Sequence, residues 1–169
     1  MSAAAEESGS RQLRILVDTN VWLDYFLPAR AGHGAAFSFL DEAQRRGAQL
    51  LYPASCITDV FYLLLAQLKG AVRLERGSVS EADARAVREL AWGCIECQRE
   101  LACAVGVDES DLWLACKYRK LTGDLEDNVV LAAAQRAQAD FLVTGDTALL
   151  AKANVAALAP ADMLVLLQA

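Results

Sequence analysis

Short apolar runs and longer stretches of helical periodicity alternate along the chain. Residues 13–17, 49–52, 101–107 and 141–144 are apolar runs that predict strands, and 155–158 predicts an edge strand. Runs that are apolar at successive positions are typical of parallel strands buried on both faces. With helical stretches between them, these runs predict an α/β fold in which helices cover both faces of a parallel sheet.

The helical stretches have recognisable starts and stops. Ser55 is a candidate cap for a helix that runs through Lys69, and residues 70–78 predict a basic, glycine-containing connection. Ser80 and Asp83 resemble a capping box at the start of the next helix. The predicted helices are 20–26, 32–46, 55–69, 80–100, 108–119, 127–138 and 148–152, and 160–167 predicts a strand or a helix.

The composition favours one globular domain over residues 12–169. The apolar fraction is 55%, much of it alanine and leucine, which is enough for a substantial core. Residues 1–11 are small, polar and acidic, and they predict a disordered tail, not a secretory signal. The five cysteines are an odd number, and no apolar stretch is long enough to cross a bilayer. We therefore expect a cytoplasmic protein with reduced thiols.

The net charge of −6 gives no global positive field that would attract nucleic acid. A nucleic-acid contact must therefore use local basic groups. The candidates are Arg45, Arg46, Lys69, Arg73, Arg76, Lys117, Arg119 and Lys120. For any one of them, a solvated surface position is the simpler interpretation.

Four acidic residues lie beside apolar runs, where a lone carboxylate is costly to bury. Asp18 follows the first predicted strand, Asp146 follows the fourth, Asp59 interrupts an apolar helical stretch, and Asp127 begins an alanine-rich helix. Asp18, Asp127 and Asp146 could each simply cap a helix or lie in its first turn. Asp59 is harder to explain in this way, because it lies inside a helical stretch and aspartate is a poor residue for a helix interior. If the fold brings the four together, they form an oxygen-rich pocket for a divalent cation.

The type of ligand limits the chemistry that this pocket could perform. Carboxylates without histidine or thiolate favour Mg²⁺ or Mn²⁺ over zinc, and such ions can activate water against a phosphodiester. His33 is the only histidine, so mechanisms that need two are excluded. Cys94 and Cys97 have the C-x-x-C spacing of zinc or redox sites, but no second pair or nearby histidine completes a zinc site. The acids therefore predict metal-dependent phosphodiester hydrolysis.

Four segments together resemble the motifs of PIN-domain ribonucleases. They are Val17-Asp18-Thr19-Asn20-Val21-Trp22-Leu23, Ser55-Cys-Ile-Thr-Asp59-Val-Phe-Tyr62, Asp124-Leu-Glu-Asp127 with the helix after it, and Ala139-Asp140-Phe-Leu-Val-Thr144-Gly145-Asp146. They occur in the order that the family has, between Ile15 and about Leu158. No single motif would be specific, but the combination is.

This resemblance implies a three-layer α/β/α sandwich and Mg²⁺- or Mn²⁺-dependent endoribonuclease activity. By position, Asp18, Asp59, Asp127 and Asp146 would be the catalytic acids. Metal ligands would be Asp18, Asp127 and Asp146, with Asp124 as a further candidate and Glu126 the weakest, and Asn20 and Thr144 would hold the site in place. Many bacterial members are VapC-like toxins that form homodimers and are inhibited by an antitoxin inserted into the acidic cleft. The resemblance thus also implies RNA, an antitoxin and a second copy of the chain as partners.

Two alternatives to a nuclease remain open at the level of the sequence. The first is a catalytically weak binding module with this fold, but the intact acids argue against it, because a pure scaffold does not need clustered carboxylates. The second motif of the family often carries glutamate, whereas Asp59 is one methylene shorter and so reaches less far towards a metal. An aspartate-based phosphatase is also conceivable, but such sites usually carry a second aspartate where this chain has Asn20. Among the aromatic residues, Trp92 and Trp113 are expected in the core, and Trp22 or Tyr25 could stack on RNA bases.

Overall fold

Five parallel strands form the centre of the computed structural model, which describes residues 11–169. The strands are Arg14–Val17 (β1), Gln49–Pro53 (β2), Cys103–Val105 (β3), Phe141–Val143 (β4) and Ala157–Leu158 (β5). The helices are Thr19–Phe26 (α1), His33–Arg45 (α2), Cys56–Arg76 (α3), Glu81–Leu101 (α4), Glu109–Tyr118 (α5), Leu125–Arg136 (α6), Thr147–Lys152 (α7) and Pro160–Gln168 (α8). The predicted tail at 1–11 lies outside the described residues, apart from Arg11.

The strand order is β3-β2-β1-β4-β5, and each pair is parallel. Ile15 in β1 pairs with Leu50 on one side and with Phe141 on the other. The strands β2 and β3 lie on one side of β1, and the later strands β4 and β5 lie on its other side. The boundary between β1 and β4 is therefore the switch point, where open parallel sheets bind ligands beyond their carboxyl ends.

Two separate cores cover the two faces of this sheet. Alternate strand residues point to opposite faces, so Ile15 and Val17 join one core while Leu16 joins the other. The first core also contains residues of α1 to α4 and α8, and the second contains residues of α6 and α7. This arrangement confirms the predicted three-layer α/β/α sandwich. Within the described chain, no helix has the length and apolar character that crossing a membrane requires.

Helix α3 is longer than the sequence pattern predicts. Residues 70–76 continue the helix instead of forming a connection, and Gly77, at φ 80°, ends it. A glycine inside a helix costs only about 1 kcal/mol, and packing of α3 against α4 can offset that. The expected cap also differs, because the side chain of Ser55 makes no capping hydrogen bond. By contrast, the predicted capping box of Ser80 and Asp83 is present.

The expected core positions of two tryptophans are wrong. Trp92 and Trp113 are 51% and 57% exposed, whereas Trp22 is fully buried and therefore cannot stack on RNA. The buried stripe of α4 includes Val87, Ala91 and Ile95, so Trp92 lies one position beside it. Helical spacing identifies an apolar stripe, but it does not decide which flanking residue stays outside the core.

The two glycines of α3 provide a test of its boundaries. We expect Gly70→Ala to raise the free energy of unfolding by about 0.5–1 kcal/mol, because alanine favours a helix interior and no atom lies within 4 Å of the added Cβ. Gly77→Ala has similar open space but a positive φ, and it should lower stability by about 1–2 kcal/mol. Urea denaturation of both variants measures these changes. Equal effects at the two positions would contradict the observed end of α3.

Candidate active site

Asp18 lies at the carboxyl end of β1 and caps helix α1. Its Oδ1 accepts a hydrogen bond of 2.7 Å from the backbone amide of Thr19, and the residue is only 6% exposed. An aspartate at this position serves the helix, because it satisfies an amide that has no partner within the helix. Its second oxygen, Oδ2, remains for interactions outside α1.

A side-chain network from β4 holds that second oxygen. Thr144 donates through its hydroxyl to Asp18 Oδ2 at 2.7 Å, and the amide of Asn20 donates to the same oxygen at 2.5 Å. The carbonyl oxygen of Asn20 in turn accepts from the backbone of Gly145 at 2.7 Å. This network links β1 to β4 across the switch point and fixes the orientation of the Asp18 carboxylate. Asn20 and Thr144 thus lie where the sequence predicts supporting residues.

Helix α6 brings three further acidic residues to the same edge of the sheet. It begins at Leu125, two residues before the predicted start, with Asp124 as its cap. Asp124 Oδ1 accepts from the backbone amides of Glu126 and Asp127, at 2.8 and 3.3 Å. Asp127 lies in the first turn and accepts a 3.2 Å hydrogen bond from the hydroxyl of Thr122. The start of α6 and its carboxylates therefore lie near Asp18, at the carboxyl end of β1.

Asp146 caps the short helix α7 beyond β4. Its Oδ1 accepts from the amides of Ala148 and Leu149, and its own amide donates to the hydroxyl of Thr144 at 3.0 Å. Thr144 therefore contacts both Asp18 and Asp146, although these residues follow different strands. The Asp146 side chain is exposed, so its free oxygen is accessible from solvent.

One cavity of about 280 Å³ collects most of the predicted site residues. Its polar lining consists of Asp18, Thr19, Asn20, Asp124, Glu126, Asp127 and Asp146. Asp59 lines a neighbouring cavity with Leu125 and Glu126, so Glu126 is the acid that the two cavities share. We call the first the acidic cavity. The structure therefore brings Asp18, Asp127 and Asp146 together and sets Asp59 to one side.

The acidic cavity carries an excess of negative charge. Burial raises the pKa of Asp18, and the charge of Asp127 raises it further, against hydrogen bonds from Thr144, Thr19 and Asn20 that lower it. Burial is also the main cause of the raised pKa of Glu126 and Asp127, and neighbouring carboxylates add to both. The hydroxyl of Thr122 and the charge of Lys152 act the other way and lower the pKa of Asp127. Among residues 11–169, no Lys or Arg forms an ion pair with these three acids. Because folding makes these carboxyls harder to ionise, their charged forms weaken the fold as pH rises through the raised pKa values.

The residues of the acidic cavity fit a hydrated Mg²⁺ or Mn²⁺ ion. All its charged ligands are carboxylate oxygens, which these ions prefer. Within residues 11–169, no three His, Cys, Asp or Glu side chains are close enough to enclose a metal by themselves. Mg²⁺ keeps several water ligands and uses only one or two carboxylates. Carboxylates that lie too far apart to enclose an ion by themselves are therefore compatible with a hydrated Mg²⁺. The same finding gives no support to a zinc site at Cys94 and Cys97.

Glu126 is the residue whose importance the sequence understates. In the sequence it has the weakest claim among the acids of the third motif, where Asp127 is preferred because it begins the predicted helix. In the structure it lines both cavities, and burial, followed by the charges of Asp59 and Asp18, raises its pKa. The available signal was its place in the first turn of α6, directly before Asp127.

The hydroxyl of Thr144 provides a test of the network. Thr144→Val keeps the shape of the side chain but removes the bond to Asp18 and the acceptor for Asn20 and Asp146. We expect it to lower the free energy of unfolding by about 1–3 kcal/mol, because buried polar groups lose their partners. Thr144→Ser retains the hydroxyl and should lose clearly less. Urea denaturation that ranks the two variants equally would show that the hydroxyl does not organise this site.

Comparison with known proteins gives a family and a similar fold. The sequence model of a family described as "PIN domain" matches residues 14–148. Among solved structures, the crystal structure of FitAcB from Neisseria gonorrhoeae is similar, with a TM-score of 0.53 and 22% sequence identity. The similarity covers 86% of this chain and 97% of that one, and at this identity it shows a shared fold alone. No curated protein matches the chain.

Proposed function

The chain belongs to the PIN-domain family, and from this premise we propose that it is a metal-dependent endoribonuclease. One observation carries the proposal: a buried carboxylate, Asp18, shares a solvent-connected cavity with further acids and has no neutralising cation among the described side chains. In a protein that serves only as a scaffold, such a cluster would have no use and would cost stability, because burying carboxylates together raises their pKa values and weakens the fold. A nuclease needs it in order to bind divalent ions.

The proposed roles follow from the accessibility of each carboxylate. Asp127 and Asp146 have oxygens that face the acidic cavity, and together with Asp18 they would hold Mg²⁺ or Mn²⁺, with Asp124 at its edge. When bound, the metal would activate water for attack on the phosphodiester and offset charge on the leaving oxygen. Asn20 and Thr144 would keep Asp18 ionised and oriented, because both donate hydrogen bonds to its Oδ2. Asp59 and Glu126 would add negative charge at the entrance.

The residue two positions after Asp18 argues against the aspartate-based phosphatase. Such sites usually carry a second aspartate there, whereas Asn20 is an amide that donates a hydrogen bond to Asp18 Oδ2. The catalytically weak binding module remains the alternative, and the cleavage assay below distinguishes it from the nuclease.

A toxin role is a further proposal that rests on the family resemblance. In that case, an antitoxin would cover the acidic cavity and block access of RNA to it. A basic side chain inserted by that partner would neutralise the same carboxylates that a metal does. We also propose a homodimer, in line with many members of the family.

Cleavage of RNA by matched variants tests the proposed activity. We expect the purified protein to cleave a panel of structured and single-stranded RNAs in Mg²⁺ or Mn²⁺, and EDTA to abolish the cleavage. Asp146→Asn should reduce cleavage by at least about 100-fold, because it removes a metal ligand. Asparagine is also a good cap, so α7 should be preserved.

Asp41→Asn is the matched control, because Asp41 is exposed on α2 and does not line the acidic cavity. It should cleave like the wild type. If the folded wild type cleaves no RNA of the panel with either metal, the nuclease proposal is wrong and the binding module is favoured.

A further inference from the structure

A chain of three cavities leads from the acidic cavity around the start of α6. The acidic cavity shares Glu126 with the cavity at Asp59, and this second cavity shares Leu125 with a third, of about 190 Å³. The third is lined by Ala115, Cys116, Arg119, Gly123, Leu125 and Asn128. The shared residues make the three cavities neighbours around the start of α6, and we call the surface that they line together the α6 groove.

The far end of the α6 groove has the opposite charge to the acidic cavity. Arg119 lines it directly, and Lys117 and Lys120 are exposed close by in the sequence. Among the described residues, none of these three cations forms an ion pair. In a chain of net charge −6, three unpaired cations within four residues form a local basic patch. These three side chains are therefore available to a polyanion, which would not have to displace a carboxylate from any of them.

Helix α5 also presents an exposed aromatic ring, although Trp113 does not line the third cavity. Trp113 is 57% exposed, and the ammonium of Lys117 lies 3.5 Å from its ring centroid, so an aromatic surface and a cation are presented together. Exposed aromatic rings and basic groups are the usual combination for binding unpaired bases and their phosphates. Asn128, at the base of the groove, is 3% exposed, and its Oδ1 accepts no hydrogen bond from any described residue.

We infer that the α6 groove binds the single-stranded RNA that flanks the scissile phosphate, with Arg119 and Lys120 contacting its backbone. This inference rests on the proposed nuclease function and assigns the direction in which the substrate leaves the acidic cavity. Gly123 forms an open part of the groove, because a Cβ added there would meet no atom within 4 Å. The start of α6 thus lies between the carboxylates that would hold the metal and the cations that would hold the RNA.

Binding to a labelled RNA tests this inference separately from cleavage. The probe is a fluorescein-labelled single strand of mixed sequence, about twelve nucleotides long, measured by anisotropy in Mg²⁺. All proteins carry Asp146→Asn, so that the probe stays intact. Arg119→Gln with Lys120→Gln is compared with Arg85→Gln and Arg88→Gln, which remove the same charge from the exposed face of α4. Gly123→Leu fills the groove without a change of charge.

We expect the double substitution of Arg119 and Lys120 to raise Kd for the RNA at least about fivefold. It should also make the plot of the logarithm of the association constant against log salt less steep by about 1.4, which is about 0.7 for each of two lost phosphate contacts. Gly123→Leu should also weaken binding, whereas the α4 pair should not. Equal affinities for the two double variants would overturn the inference, even if the parent binds RNA. Failure of the parent to bind any RNA would instead contradict the proposed function, and the inference with it.

Discussion

The structure depends on the burial of the Asp18 carboxylate at the carboxyl end of β1, beside β4. An ionised carboxylate in this position is costly unless its oxygens are satisfied. Thr19, Asn20 and Thr144 satisfy them with hydrogen bonds, and no described Lys or Arg side chain neutralises the charge. The remaining charge makes this edge of the sheet attractive to a divalent cation.

This requirement connects the fold to the site. Thr144 follows β4 and bonds to Asp18 after β1, so the network exists only when the two strands pair in their observed register. The caps at Asp124 and Asp146 use the carboxylates for a second purpose, since each satisfies two amides at the start of a helix. The acids therefore contribute to folding through caps and oppose it through mutual repulsion. Such a conflict is expected at functional sites.

The sequence allows prediction of the features that depend on local pattern. Short apolar runs predict the strands, and residues that follow parallel strands must lie at one edge of the sheet, which places Asp18 and Asp146 at the same edge. That β1 and β4 are neighbours, so that the two residues come close, needed the tertiary structure. The position of Asp59 relative to Glu126 could not be predicted, because it depends on where the tertiary structure places α3 relative to α6 and not on the spacing of residues within either helix. For the same reason, the exposure of Trp92 and the extension of α3 past Gly70 needed the tertiary structure.

The central claim is that the carboxylates of the acidic cavity hold a divalent cation. Calorimetric titration with Mn²⁺, at a pH near 7.5, tests it most directly, because Mn²⁺ binding requires neither RNA nor cleavage. We expect saturable binding by the wild type that is lost or strongly weakened in Asp127→Asn and unchanged in Asp41→Asn. Absence of binding to the folded wild type, or equal binding by all three proteins, would contradict it.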